Sequence, residues 1–152
     1  MWADRNPFTD EYLDEEIEFY GANLYTEGSV RVTLREPVGR CDDYLNAAFW
    51  DGSKTVPVMY IDGQVWMSLT RMEVQSHHLP ILWATGDVGT IGLGLGHFTL
   101  RAMQKPEVRS VVVFESRQEV IDYFVSLFRF KSETSILRKV DENMLFSSPV
   151  PV

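Results

Sequence analysis

The chain has 152 residues, 45% of them hydrophobic and 24% charged, a composition typical of a soluble globular protein that forms one domain. Its formal net charge of −8 argues against a nucleic-acid partner, because binding to a phosphate backbone depends on clustered Lys and Arg. The sequence shows neither the run of roughly 20 apolar residues of a membrane helix nor a signal peptide, so we expect a cytoplasmic protein without membrane contact.

Cysteine content limits the chemistry further. Cys41 is the single cysteine, which excludes an internal disulfide and a thiolate metal cluster. Its neighbours Arg40, Asp42 and Asp43 indicate a solvated loop rather than a nucleophile.

The first predicted element is a short amphipathic helix. An irregular arm over residues 1–8 precedes it, Thr9 or Asp10 caps it, and it runs to about residue 20. Its expected apolar face comprises Leu13, Ile17 and Tyr20. Acidic residues crowd its first turns, where the helix dipole favours negative charge, so we expect a solvated face there rather than a cation site.

Strand patterns follow this helix. Alternating apolar residues predict a half-buried strand over residues 29–35, and residues 43–50 predict a weaker one. Residues 56–69 predict a hairpin whose Asp62-Gly63 turn supplies the positive φ angles of a type I′ turn. This part of the chain, residues 1–69, therefore predicts a small β-meander.

From residue 70 to 152 helix and strand patterns alternate. Thr70 and Glu73 fit a capping box that opens a helix, which Pro80 must kink or interrupt. His77 and His78 are adjacent and point apart on a helix, so they predict no metal site. The other predicted elements are strands at 88–91 and 110–114, a third and more weakly patterned strand at 136–140, and helices at 97–104 and 117–128. Such alternation predicts a truncated Rossmann-like parallel sheet, which makes the chain an α/β protein.

A glycine turn and an acid stand at the ends of the first two parallel strands. Gly92, Gly94 and Gly96 follow the first strand, and Glu115 follows the second. Glycine tolerates positive φ and lets a ligand approach the backbone closely. Because the carboxyl ends of parallel strands meet at one edge of the sheet, Glu115 is placed to accept hydrogen bonds from two ribose hydroxyls. The sequence therefore predicts a nucleotide-type site.

His97 helps to distinguish which nucleotide-type ligand the predicted site would bind. The dinucleotide fingerprint G-x-G-x-x-G has a glycine where this chain has His97, and we expect an imidazole there to crowd the packing of helix on strand. A ligand without a pyrophosphate, such as S-adenosylmethionine, suits the variant better. A module for NAD or another nucleotide remains an alternative. In a further alternative the glycines only form a tight turn and Glu115 only caps the surface.

The segment 88–115 resembles motif I and the second-strand acid of class I S-adenosylmethionine-dependent methyltransferases. Over residues 56–128 the chain is similar to the N-terminal half of spermidine-synthase-like polyamine aminopropyltransferases. The motifs that match are Tyr60-Ile61-Asp62-Gly63, Ser76-His77-His78-Leu79-Pro80, the glycine turn, and the run from Pro106 to Glu115. The resemblance implies that S-adenosylmethionine, or its decarboxylated form, contacts four residues: Gly92, Gly94, Gly96 and Glu115.

The sequence departs from this family at several places. Leu95 stands where the family's turn carries an aspartate, and Trp66 where a glutamine is expected. The family's catalytic aspartate follows a fourth strand that has no counterpart here, so no catalytic residue is predicted. We expect either a methyl- or aminopropyl-transferring enzyme completed by a second subunit, or an inactive relative with a structural, sequestering or inhibitory role. An open parallel edge favours a homo-oligomer or a partner protein that covers it.

Overall fold

The computed structural model describes residue 6 and residues 9–36, 55–129 and 144–147. It divides into two compact units, Met1–Pro80 and Ile81–Val152. The predictions for most of the N-terminal arm, for Cys41 and for strands at 43–50 and 136–140 lie outside the described residues. Within the described ranges, no helix combines the length and the apolar character needed to cross a membrane.

Helix α1 spans Asp10–Gly21, and of the two predicted caps the structure uses Thr9. The Thr9 hydroxyl accepts a hydrogen bond from the Tyr12 amide at 3.4 Å. The inward stripe consists of Tyr12, Glu16 and Tyr20, spaced four residues apart, whereas Ile17 is only half-buried. The expectation of a solvated acidic face is therefore wrong at Glu16, which is 1% exposed, because it stands between two buried tyrosines.

In the first unit the described strands form an antiparallel sheet in the order β1-β2-β3-β4. The strands are β1 Tyr25–Glu27, β2 Val30–Arg35, β3 Val56–Ile61 and β4 Gln64–Ser68. Asp62 and Gly63 have φ angles of 52° and 78°, as the predicted type I′ turn requires. The sequence patterns missed β1 because three residues are too few to establish a period of two.

Two short helices, α2 (Arg71–Ser76) and α3 (His78–Trp83), follow the hairpin. The Thr70 hydroxyl accepts a hydrogen bond from the Glu73 amide at 3.3 Å, as the predicted N-cap requires. The break between the helices lies at His77, ahead of Pro80, which occupies the first turn of α3. Proline is tolerated there because the first amides of a helix lack an intrahelical acceptor.

The second unit contains β5 (Gly86–Ile91), α4 (His97–Met103), β6 (Val108–Phe114), α5 (Gln118–Arg129) and β7 (Met144–Ser147). The three strands are parallel in the order β5-β6-β7, which is half of a Rossmann-like sheet. Both crossovers step in the same direction, and right-handed crossovers therefore place α4 and α5 on one face of the sheet. The core beneath these helices includes Leu100, Met103, Val111, Val113, Val120 and Phe124.

Two predictions for this sheet need correction. Strand β7 lies at Met144–Ser147, a few residues beyond the third strand that the sequence predicts at 136–140. Strand β5 begins two residues earlier than the predicted strand at 88–91, and every second residue of it is exposed, namely Asp87, Gly89 and Ile91. A parallel strand is buried on both sides only where helices cover both faces of its sheet, and α4 and α5 lie on the same face.

Candidate functional site

The turn between β5 and α4 has the backbone that glycine alone adopts easily. Gly92, Gly94 and Gly96 have φ angles of 81°, 54° and 82°. All three lie in the left-handed region, where a side chain clashes with the backbone. The flanking side chains of Leu93 and Leu95 are buried, at 7% and 0% exposure. The turn is therefore anchored to the core by its leucines and shaped by its glycines.

Gly92 and Gly96 serve different purposes within this turn. A Cβ at Gly96 would lie 2.1 Å from Cε2 of Phe124 on α5, much closer than any real contact, whereas a Cβ at Gly92 would meet nothing within 4 Å. Gly96 is thus needed for the packing of α5 against the turn. Gly92 leaves its surroundings open, as close approach of a ligand to the backbone requires.

Glu115 lies against the glycine turn, where the edge of the parallel sheet was expected to bring it. Its side chain is 6% exposed, and Oε2 accepts a hydrogen bond from the amide of Leu93 at 2.8 Å. Oε1 accepts hydrogen bonds from the amide of Arg117 at 3.0 Å and from the Ser116 hydroxyl at 3.3 Å. The carboxylate thereby joins the segments that follow β5 and β6.

These partners limit what else Glu115 can bind. A carboxylate offers about four acceptor positions, and the three hydrogen bonds described for Glu115 leave roughly one of them. A ribose that presents two hydroxyls would therefore have to displace one protein donor. The Ser116 hydroxyl, at 3.3 Å, is held least tightly. Contact of Glu115 with a ribose remains a prediction.

His97 is the first residue of α4 and is 2% exposed. We expected an imidazole at this position to crowd the packing of helix on strand. The close approach instead occurs one residue earlier, at Gly96 against Phe124, and the imidazole is accommodated inside the unit. The sequence pattern could not show this, because Phe124 belongs to a helix much further along the chain.

Charged side chains cluster at the amino ends of the same strands, and sequence reasoning missed them. Lys105 is 5% exposed, and its Nζ donates to the carbonyls of Ile81, Leu82 and Ala84 at 2.8, 2.6 and 2.8 Å. These carbonyls lie at the C-terminal end of α3, where helix carbonyls lack intrahelical partners. A lone lysine after a helix gives no sequence signal of such a role.

An ion pair lies at the same end of the sheet. The Arg109 guanidinium donates two hydrogen bonds to the Asp87 carboxylate, and the Ser110 hydroxyl donates a third at 2.6 Å. The hydrogen bonds from Arg109 and Ser110 hold the pKa of Asp87 below its ordinary value. No group of three or more His, Cys, Asp or Glu with metal-binding geometry occurs among the described residues.

Comparison with known proteins gives a weak result. No protein-family model matches the chain, and no curated protein matches it either. Among solved structures, the chain is similar to spermidine synthase from Thermotoga maritima, with 16% sequence identity and a TM-score of 0.45. The match covers 84% of this chain and 42% of that one, so the chain spans less than half of that protein's length. A likeness of this size identifies neither a ligand nor an activity.

Proposed function

We propose that this chain binds an adenosyl ligand of the S-adenosylmethionine type at the glycine turn, with the ribose against Glu115. The observation that carries the proposal is a buried carboxylate whose Oε2 lies 2.8 Å from the amide of Leu93, inside a turn of left-handed glycines. Open backbone at Gly92 and an acceptor for hydroxyl groups are thus adjacent. Glycine-rich turns followed by an acid on the next strand bind the ribose of nucleotides in this manner.

The candidate ligands are S-adenosylmethionine and its decarboxylated form. Leu95, which stands where related turns carry an aspartate, is fully buried and offers no polar group to the ligand. Among the residues of the turn itself, a ligand would therefore find its polar contacts in the backbone, with Glu115 beside it. Transfer of a methyl or an aminopropyl group from it would need further residues, which we propose come from a second subunit or a partner protein.

A structural role is the second candidate, and one observation favours it. Both carboxylate oxygens of Glu115 already accept hydrogen bonds from backbone amides, those of Leu93 and Arg117. Glu115 can therefore hold the turn closed without a ligand, as expected of an inactive relative with a sequestering or inhibitory role. The two candidates differ in what happens when adenosyl ligands are added.

Isothermal titration calorimetry separates them. The full chain is titrated with S-adenosylmethionine, its decarboxylated form, the thioether products of each, and NAD. Saturable heat with an adenosyl sulfonium or thioether, and none with NAD, is the expected result. Heat with NAD alone would replace the proposal with a dinucleotide site. If no ligand gives a heat of binding, only the structural role is left.

Glu115→Gln tests the residue itself. Loss of a charge-assisted hydrogen bond to the ribose should weaken adenosyl-ligand binding by about 1.5–3 kcal/mol, or roughly 10- to 150-fold in Kd. The matched control is Glu107→Gln, because Glu107 is an exposed acid just before β6 and Glu115 lies just after it. The control should bind as the unmodified chain does. Equal affinity of both variants would remove Glu115 from the ligand site.

A further inference from the structure

The two carboxylate oxygens of Glu115 are occupied unequally. Among the described residues, Oε2 accepts one hydrogen bond, from the amide of Leu93 at 2.8 Å. Oε1 accepts two, from the amide of Arg117 at 3.0 Å and from the Ser116 hydroxyl at 3.3 Å. Since each carboxylate oxygen has about two acceptor positions, Oε2 keeps roughly one position open and Oε1 keeps none.

A ribose at Glu115 would use both oxygens at once. Its 2′ and 3′ hydroxyls stand on neighbouring carbons, so one carboxylate can accept from both of them, one hydroxyl to each oxygen. The first hydroxyl fits the open position of Oε2. The second reaches Oε1 only after one of the two donors to Oε1 has moved away.

The amide of Arg117, the first of these donors, is held in place by the start of helix α5. The Arg117 carbonyl accepts hydrogen bonds from the amides of Val120 and Ile121 at 3.1 and 3.3 Å. Moving the Arg117 amide away from Oε1 would therefore disturb the first turn of α5. It would also remove the partner of an amide at a helix start, where no intrahelical acceptor is available.

The Ser116 hydroxyl, the second donor, is not held in this way. A serine hydroxyl turns away by rotation about one side-chain torsion, without any change in the backbone. Ser116 is exposed, so water can replace its hydrogen bond to Oε1. The distance of 3.3 Å is also longer than the roughly 2.5–3.0 Å typical of a hydrogen bond from a hydroxyl to an oxygen. A ligand therefore displaces Ser116 at a lower cost than Arg117.

We propose that Ser116 sets how strongly the adenosyl site prefers ribose over deoxyribose. Its hydroxyl competes with one ribose hydroxyl for Oε1 of Glu115, so a ligand with both hydroxyls binds only when the Ser116 side chain turns outward. A ligand that lacks the hydroxyl facing Oε1 leaves Ser116 in place. Ser116 thus lowers the preference for a complete ribose that Glu115 alone would give. This inference rests on the proposed function, because it concerns the same ligand.

Isothermal titration calorimetry tests the inference with S-adenosylmethionine and with its 2′-deoxy and 3′-deoxy forms. Ser116→Ala should lower the Kd of S-adenosylmethionine roughly two- to tenfold, the range expected for the net effect of one hydrogen bond. The Kd of the deoxy form that lacks the hydroxyl facing Oε1 should not change. Ser116→Thr keeps a hydroxyl and should restore the Kd values of the unmodified chain.

Ser110→Ala is the matched control. Ser110 also donates its hydroxyl to a carboxylate, that of Asp87 at 2.6 Å, but it lies on β6 near the amino end of the sheet. All three Kd values should stay unchanged in this variant. Far-UV circular dichroism shows whether each variant folds. If Ser116→Ala does not fold, Ser116→Cys takes its place with the same expected result, because a thiol is only a weak donor.

Failure of this inference is distinguishable from failure of the proposed function. S-adenosylmethionine may bind while Ser116→Ala leaves its Kd unchanged, raises it, or lowers the Kd of all three ligands equally. Each of these results overturns the role of Ser116 and leaves the adenosyl site standing. If none of the three ligands binds to the unmodified chain, this inference is overturned as well, and the titration of the remaining adenosyl ligands decides the proposed function separately.

Discussion

The two ends of the parallel sheet use charged side chains in opposite ways. At the amino end, Lys105 donates to carbonyls at the end of α3, and Asp87 is paired with Arg109. At the carboxyl end, the buried Glu115 accepts a hydrogen bond from the amide of Leu93, inside a turn of left-handed glycines in which Gly92 has open space beside it. At the amino end, charged side chains provide hydrogen bonds to groups such as the carbonyls at the end of α3. At the carboxyl end, backbone of the glycine turn stays accessible. Position along the same strands therefore separates the groups that stabilise the fold from the turn at which we propose a ligand binds.

The largest effect is expected at the amino end, from Lys105→Met. The methionine keeps an apolar stem but removes three hydrogen bonds, leaving the carbonyls of Ile81, Leu82 and Ala84 without this donor in a buried setting. We expect the free energy of unfolding to fall by about 3–5 kcal/mol. Urea denaturation followed by circular dichroism measures it as a shift of the midpoint at constant slope.

A matched control for this variant is Arg35→Met, which removes an exposed cationic side chain at the end of β2. Its effect should stay within about 0.5 kcal/mol, as for most surface substitutions. If Lys105→Met lowered the free energy of unfolding no more than Arg35→Met does, the charged groups at the amino end would not stabilise the fold. The difference that we describe between the two ends of the sheet would then be wrong.

The next largest effect separates two glycines of the same turn. Gly96→Ala combines a left-handed φ of 82° with a Cβ 2.1 Å from the Phe124 ring, so the free energy of unfolding should fall by about 2–4 kcal/mol. Gly92→Ala has a similar φ but open space, and should cost about 1–2 kcal/mol. Thermal and urea unfolding of both variants give the comparison.

The double variant Gly96→Ala with Phe124→Leu sharpens this comparison, because a smaller side chain on α5 relieves the contact but leaves the strained φ. The double variant should therefore be less destabilised than the sum of its two single variants, the mark of directly coupled residues. Strict additivity would mean that Gly96 is required for its φ alone and has no packing role.

The smallest effect concerns the exposed ion pair at the amino end. The hydrogen bonds from Arg109, and then from Ser110, hold the pKa of Asp87 below its ordinary value of 3.8. A carboxyl with a lowered folded-state pKa contributes stability above its unfolded pKa and loses it as the pH falls through the folded one. Asp87→Asn should therefore lower the unfolding midpoint slightly at neutral pH, and the difference should begin to shrink as the pH falls below 3.8 and disappear only below the lower folded pKa.

Thermal melts of both proteins over a pH series measure this difference, and added salt should reduce it because the Asp87 and Arg109 side chains are 53% and 74% exposed. A difference that grew as the pH fell, or that ignored salt, would contradict an exposed and screened pair. The pair would then belong with Lys105 among the groups that hold the amino end together.

Much of the fold was predictable because its signals are local. The cap at Thr9, the hairpin turn at Asp62-Gly63, and helices α4 and α5 follow from capping, φ preference and period, which neighbouring residues specify. Strand β1 was missed because three residues carry too little pattern. The open side of β5 was missed because an apolar run does not tell which faces of a sheet have helices.

The sequence alone determined the order of strand, glycine turn, helix, strand and acid. It also led to the expectation that Glu115 lies next to the glycine turn. Local conformational preference and the parallel crossover suffice for that, since both are properties of short segments. Only the tertiary structure decided that every second residue of β5 is exposed within the described part of the chain. It also decided that Gly96 packs against Phe124 and that Glu115 accepts a hydrogen bond from the amide of Leu93. These contacts join residues more than 20 positions apart, where packing and not local pattern selects the partner.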